Sequence, residues 1–285
     1  MSVNAARAVS VPSNGMVFSG LEWGPAEGPL VLLLHGFPQR CTSWGEVAVR
    51  LADVNIRSVA LDQRGYSPGA RPAEVAAYGL PNLVADVAGM ITTLAGPEAA
   101  IHLAGHDWGG VVGWQVAARH PQLVRSWSAL STPNPLALND VLARDPEQRA
   151  KFAYIVGFRE PGRAESTLLA QDGAALRSLY GPSISADRIA EDIAFFAQPG
   201  VLTAALSWYR AMSPRDSQGL ARVVVPTSYV WGSTDLAFGR AAAELCGQYV
   251  DAPYQFVPLE GASHWLPDEV PDTVAQIIAA RVLEG

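Results

Sequence analysis

Cysteine is nearly absent: the 285 residues contain two, Cys41 and Cys246, far apart and in no metal-ligand spacing. A disulfide framework is thereby excluded, and two reduced, buried thiols are expected. Positive charge is scarce too. Twenty Lys and Arg against 27 Asp and Glu leave a net charge of −7, with no basic block to override it. Nucleic acid then offers no counterion-release gain, and an anionic membrane surface is disfavoured. Long apolar runs are also missing. Leu30–Leu34 is a strand's length and far too short to span a bilayer. Met1 to Gly15 carries one Arg and no apolar stretch of signal-peptide length. There is no internal repeat or low-complexity tract. The histidines stand in no metal-ligand spacing, so no metal is implied. A soluble cytoplasmic protein is the default expectation, with homo-oligomerisation left open.

What is present is an ordinary globular composition, 49% hydrophobic and 16% charged, long enough for one large α/β domain with an inserted subdomain. Apolar strand-length runs fall at Leu30–Leu34, Arg57–Leu61, Ala100–Ala104, Val124–Leu130, Val223–Trp231 and Tyr254–Leu259. Helical patterns lie between them at Trp44–Ala52, Leu83–Leu94, Trp108–Arg119 and Val270–Leu283. This alternation predicts a mostly parallel sheet covered on both faces. The strands run out at Gly or Pro beside polar residues, where open α/β sheets bind ligands. From Asn134 to Asp216 the alternation stops, and only Pro-punctuated helical stretches such as Ile189–Phe196 and Leu202–Met212 remain. Residues 1–133 and 217–285 are therefore expected to form the core, and 134–216 a helical cap over the strand ends.

The chemistry centres on Gly105-His106-Asp107-Trp108-Gly109-Gly110. An acidic residue flanked by glycines between a strand and a helix fits a nucleophile elbow, in which a sharp turn thrusts the central side chain above the sheet. Read alone, Asp107 could simply cap the helix. As an elbow residue it is kept ionised by the helix N-terminus. A carboxylate is a poor nucleophile toward esters but adequate toward a strained or activated sp³ carbon, and it would form an alkyl ester.

Turnover of that ester needs an acid and a base further along the chain. Asp235, in Trp231-Gly232-Ser233-Thr234-Asp235, and His264, in Gly261-Ala262-Ser263-His264-Trp265, each follow a strand at the same edge. Glu260 is the fallback acid. His35 reads as a loop-fixing residue, His102 as a strand residue and His120 as a helix end, and His106 is expected to point away from the side Asp107 faces. The elbow architecture places oxyanion donors at the backbone N–H groups of Trp108 and Phe37. A cis Phe37-Pro38 bond is one way to aim the latter inward.

These pieces, with His35-Gly36-Phe37-Pro38 and Asp62-Gln63-Arg64-Gly65-Tyr66-Ser67, together resemble the epoxide hydrolases of the α/β-hydrolase superfamily. The match runs in family order across nearly the whole chain and points to the Asp-nucleophile branch, which also holds the dehalogenases. The resemblance implies two cap tyrosines that hold the epoxide oxygen. Phe152-Ala153-Tyr154 and Ser207-Trp208-Tyr209-Arg210 match those motifs at Tyr154 and Tyr209. A phenol with pKa near 10 is a far better proton donor than an alcohol. Tyr180 reads as a helix end. Gly157 departs from the pattern, standing where some relatives carry an aromatic residue, and the Asp-x-Arg-Gly loop ends in Tyr66-Ser67-Pro68-Gly69.

The expected reaction is hydrolysis of a small, mainly apolar epoxide to a vicinal diol, without a cofactor. Phe37, Trp108 and Trp265, with Phe195 or Phe196, are the aromatic candidates for contact with substrate. The alternative is a haloalkane or haloacid dehalogenase with the same nucleophile and base, in which Trp108 and Trp208 would bind halide. A ligand receptor on a hydrolase scaffold would not need the full residue set, and an esterase lacks its Ser.

Overall fold

The computed structural model describes residues 5–284, so the first four residues of the N-terminal stretch and Gly285 fall outside it. An eight-stranded sheet is built from β1 (Arg7–Ser13), β2 (Met16–Trp23), β3 (Leu30–Leu34), β4 (Arg57–Leu61), β5 (Ile101–His106), β6 (Val124–Leu130), β7 (Thr227–Gly232) and β8 (Tyr254–Leu259). The spatial order is β1-β2-β4-β3-β5-β6-β7-β8. Strands β3 to β8 run parallel, and β1 and β2 extend the β4 edge antiparallel.

Side-chain alternation decides how this sheet is covered. In β3, Leu32 and Leu34 enter one core cluster and Val31 and Leu33 the other, all with no solvent exposure. Both faces therefore need helices. Each such side chain contributes roughly 2 kcal/mol of apolar burial. The chain supplies α1 (Gly45–Asp53), α2 (Leu80–Ala95) and α3 (Trp108–Arg119) between strands, and α10 (Arg240–Leu245), α11 (Leu266–Glu269) and α12 (Pro271–Leu283) beyond β7. Trp44, Leu51 and Ile278 fill the α1/α12 side, while Met90, Val112 and Trp127 fill the α2/α3 side.

Between β6 and β7 the described chain contains helices only: α4 (Pro135–Arg144), α5 (Pro146–Lys151), α6 (Tyr154–Phe158), α7 (Arg163–Arg177), α8 (Ala186–Phe196) and α9 (Val201–Ala211). α7 is broken at Ala170–Gly173, where the backbone leaves helical geometry. Aromatic contacts seat this insertion on the strand ends: Phe158, Phe196 and Tyr209 all pack on Phe37, and Trp208 packs on Trp108. Trp208 Nε1 also donates to the carbonyl of Arg64 (2.8 Å). Arg64 in turn makes a buried two-pronged ion pair with Asp86 of α2 (2.7 and 2.6 Å), a fork geometry suited to guanidinium and carboxylate.

The structure adds one element to the sequence reading and shortens another. The hairpin β1–β2 was not read from the sequence. Its turn, Asn14-Gly15, has φ of 48° and 73°, the left-handed pair that a tight hairpin requires. The strand expected at Val223–Trp231 begins only at Thr227, with Val223 making an isolated bridge to Val250. Pro226 interrupts the run because it has no N–H to give the ladder. No single helix among the described residues is long and apolar enough to cross a membrane.

Candidate active site

β5 ends at His106 and α3 begins at Trp108, so Asp107 alone makes the turn, at φ 51° and ψ −119°. A non-glycine residue held there is strained unless its surroundings fix it. They do: the Asp107 carbonyl accepts from Thr132 Oγ1 (2.8 Å) and from the Val111 N–H (3.0 Å). Two glycines make room. A Cβ on Gly109 would lie 2.1 Å from the carbonyl oxygen of Leu34, and one on Gly36 would lie 2.3 Å from Asp107 Cβ and 2.4 Å from its Oδ1. Gly36→Ala therefore has to displace the carboxylate itself. It should lower kcat/KM by about 100-fold, the cost of a misplacement near 1 Å, while unfolding in urea shows a loss of only about 1–3 kcal/mol. Unchanged kinetics would show that Gly36 does not set the position of Asp107.

The two carboxylate oxygens of Asp107 have different surroundings. Oδ1 accepts the Phe37 N–H at 2.8 Å, and the Trp108 backbone N–H also supports the carboxylate. Oδ2 faces His264 Nε2 at 3.6 Å. On the other side of the ring, His264 Nδ1 donates to Asp235 Oδ2 at 2.9 Å, and Asp235 Oδ1 accepts from the N–H groups of Ala237 (2.7 Å) and Phe238 (2.9 Å). All three side chains are buried. The structure thus brings Asp107, Asp235 and His264 into one line. Glu260 is exposed and paired with Arg240 (2.8 Å), away from this line.

Burial opposes charge on Asp107 and on His264, and the attraction of their partners outweighs it. Burial pushes the Asp107 carboxyl up, but the His264 hydrogen bond and charge, with His106 and the Trp108 N–H, hold it below the ordinary range. Burial pulls His264 down, yet the Asp235 and Asp107 carboxylates raise it to about 10. The resting pair is therefore carboxylate and imidazolium.

Residues 29–271 match the alpha/beta hydrolase fold family. The chain belongs to that family. This hydrolase is 32% identical to the AB hydrolase superfamily protein YfhM of Bacillus subtilis, over 94% of its own length and 95% of that protein's. It is 30% identical to epoxide hydrolase A of Mycobacterium tuberculosis, with 93% of each chain covered. Among solved structures, epoxide hydrolase A from Mycobacterium thermoresistibile superposes with a TM-score of 0.86 at 28% identity, covering 99% of both chains.

In this hydrolase two cavities, of about 210 and 220 Å³, share Asp107, Tyr154 and Tyr209 as lining residues. The first extends past Trp108, Leu138 and Met212; the second is lined by Phe37, His264, Leu236 and Trp265. The aromatic candidates Phe37, Trp108 and Trp265 thus reach a cavity. Phe195 and Phe196 do not: Phe195 lies under the Arg40 guanidinium, and Phe196 packs on Phe37 and Tyr66. The Tyr154 and Tyr209 rings stand 6.3 Å apart. Burial, with the nearby Asp107 charge, raises both phenols above their ordinary pKa, so each is a protonated donor at neutral pH. The suggestion that Trp208 could bind halide fails, because its indole N–H is committed to the Arg64 carbonyl. The Trp108 indole lies against Tyr209, ring centroids 5.1 Å apart.

The remaining histidines sort by their partners. His35 bridges the Gly36 carbonyl and the Gln63 N–H (both 3.0 Å), which fixes its loop. Phe37-Pro38 is cis. His102 bonds Ser126, and His120 closes α3. His106, expected to point away, instead packs on His264 with ring centroids 4.8 Å apart, and its Nε2 donates to the His264 carbonyl (2.8 Å). The same carbonyl accepts from Ser131 Oγ (2.7 Å). Ser131 is buried, at φ 64°, and its own carbonyl is held by Tyr229 OH (2.9 Å). Sequence reasoning missed Ser131, whose one signal was a polar Ser-Thr pair at a strand end. It also missed Lys151 and Gln148 of α5, which hold the Asp235 loop through the carbonyls of Asp235 (2.8 Å) and Ala237 (2.7 Å).

Proposed function

We propose that this protein is an epoxide hydrolase that converts a small apolar epoxide and water to a vicinal diol through an alkyl ester on Asp107. The observation that carries this reading is the unequal treatment of the Asp107 oxygens, Oδ1 on the Phe37 N–H and Oδ2 toward His264, with two phenols lining the same cavity. Residues 134–216 act as the cap, since they deliver both phenols. Asp107 Oδ2 attacks one ring carbon, the carbon–oxygen bond opposite breaks, and Tyr154 or Tyr209 donates to the departing oxygen.

Alkylation removes the Asp107 charge, and two consequences follow. The phenolate becomes less costly beside a neutral ester, and His264 loses one of the two carboxylates that held its proton. The His264 proton can then restore the phenol, leaving a neutral imidazole. That imidazole takes a proton from water while the hydroxide adds to Asp107 Cγ. Oδ1 carries the resulting negative charge, facing the N–H groups of Phe37 and Trp108. Collapse expels the diol through Oδ2. Of the two water protons, one ends on the diol and one on His264, which regenerates the resting ion pair. Asp235 keeps the ring oriented and offsets its charge.

The test is a single turnover of styrene oxide in ¹⁸O water, with enzyme in excess. The diol should contain no label, and the peptide bearing Asp107 should gain it. Labelled diol with an unlabelled Asp107 would mean direct attack by water and would end the covalent mechanism.

A further inference from the structure

The two cavities differ at their far ends. The one lined by Phe37 and Trp265 has His264 as its only cationic side chain. The one past Trp108 is lined at its polar end by buried Gln115, exposed Asn139 and the half-buried Ser213, Asp216 and Ser217, and no Arg, Lys or His lines it. Apart from the nucleophile and the two phenols, its sole ionisable group is Asp216. One Asp216 oxygen accepts the Ser213 N–H (2.8 Å). The Gln115 amide is spent on its neighbours, donating to the Asp216 carbonyl (3.1 Å) and accepting from Arg119 (2.8 Å). Arg119 reaches the Asp216 carbonyl at 3.4 Å but does not line the cavity. The Asn139 amide donates to Ser217 (2.5 Å). The rim thus presents a carboxylate to whatever lies in the apolar channel, in a protein of net charge −7.

Resting on the reading above, we propose that the substrate is an internal epoxide, with one carbon arm in each cavity, whose arm past Trp108 ends in a neutral or cationic hydrogen-bond donor such as an alcohol or amine. A carboxylate-ended arm would meet Asp216 with no cation in the lining to balance it. The penalty for one like-charge contact at a half-buried rim is on the order of tenfold or more.

The probes are a matched set of 1,2-dialkyl epoxides of one chain length ending in a primary amine, an alcohol or a carboxylate, a terminal epoxide of equal carbon count, and styrene oxide as the reference. The internal amine and alcohol should be at least as good as the terminal epoxide, and should exceed the carboxylate in kcat/KM by about tenfold. Asp216→Lys should shift the amine-to-carboxylate ratio by about 100-fold in favour of the carboxylate, with Asp216→Asn intermediate. A wild-type enzyme that turns over styrene oxide yet takes the carboxylate as well as the amine, or only the terminal epoxide, overturns the inference alone. The same holds for a ratio that neither variant moves. No turnover of any epoxide, styrene oxide included, overturns the epoxide-hydrolase reading and this inference together.

Discussion

His264→Gln should stop the enzyme with its substrate attached. Glutamine cannot take a proton from water, so the ester on Asp107 forms and stays. Intact-protein mass spectrometry should find the chain heavier by the mass of the substrate, and steady-state turnover should fall by about 1000-fold or more. Ring opening itself should persist, because it needs Asp107 ionised and the phenols protonated. The pKa directions argue the same way. In the resting enzyme the imidazolium stabilises the Asp107 charge, and removing it weakens that support without supplying another base. A variant that releases diol at the wild-type rate, or that never acquires the adduct while the wild-type enzyme turns over, would remove His264 from the hydrolytic step.

Tyr154→Phe combined with Tyr209→Phe should give the opposite block. Both rings are kept, so the packing of Tyr209 against Phe37, Trp108 and Phe158 survives, and only the two O–H groups are lost. Without them the opening oxygen faces an apolar cavity, and the alkoxide has no donor where charge develops. Each single variant should slow ester formation by about 10- to 100-fold, and the double variant by about 1000-fold or more, followed as the rate of adduct formation in the His264→Gln background. A double variant that is still alkylated by the epoxide at an undiminished rate would assign oxygen stabilisation to another group. The same pair of variants separates epoxide from halide chemistry, since halide departure has no need of these phenols.

The sequence announced the elements that bury both faces and the turns that interrupt them. Leu30–Leu34, Arg57–Leu61, Val124–Leu130 and Tyr254–Leu259 stand where their apolar runs put them, and Trp108–Arg119 agrees at both ends. Leu30–Leu34 is an uninterrupted apolar run and can be read without knowing what covers it, whereas Val124–Leu130 and Tyr254–Leu259 carry polar residues and are marked by the turns that bound them. The edge hairpin was illegible by that rule because β1 and β2 are only half buried and alternate with polar residues, although Asn14-Gly15 carried the turn signal. At the site, side chains with distinctive chemistry could be named from their motifs: Asp107, His264, Tyr154 and Tyr209 line one cavity, with Asp235 behind the His264 ring. The groups that hold them act through main-chain atoms. Ser131 and His106 grip the carbonyl of His264, and Lys151 grips that of Asp235. A contact made to a backbone oxygen carries no signature in the identity of the residue it touches, so these supports needed coordinates.

The pinning of Asp107 Oδ1 by the Phe37 N–H, with Gly36 pressed against the same carboxylate, has an isotopic consequence. In the proposed mechanism the oxygen facing His264 leaves with each diol and is replaced from water, whereas the one in the backbone cradle is not the atom expelled. Unless the carboxylate rotates, prolonged turnover in heavy water-oxygen should saturate at one exchanged atom per Asp107. One half of this side chain would then be a consumable reagent, renewed every cycle, and the other half a fixture as old as the polypeptide.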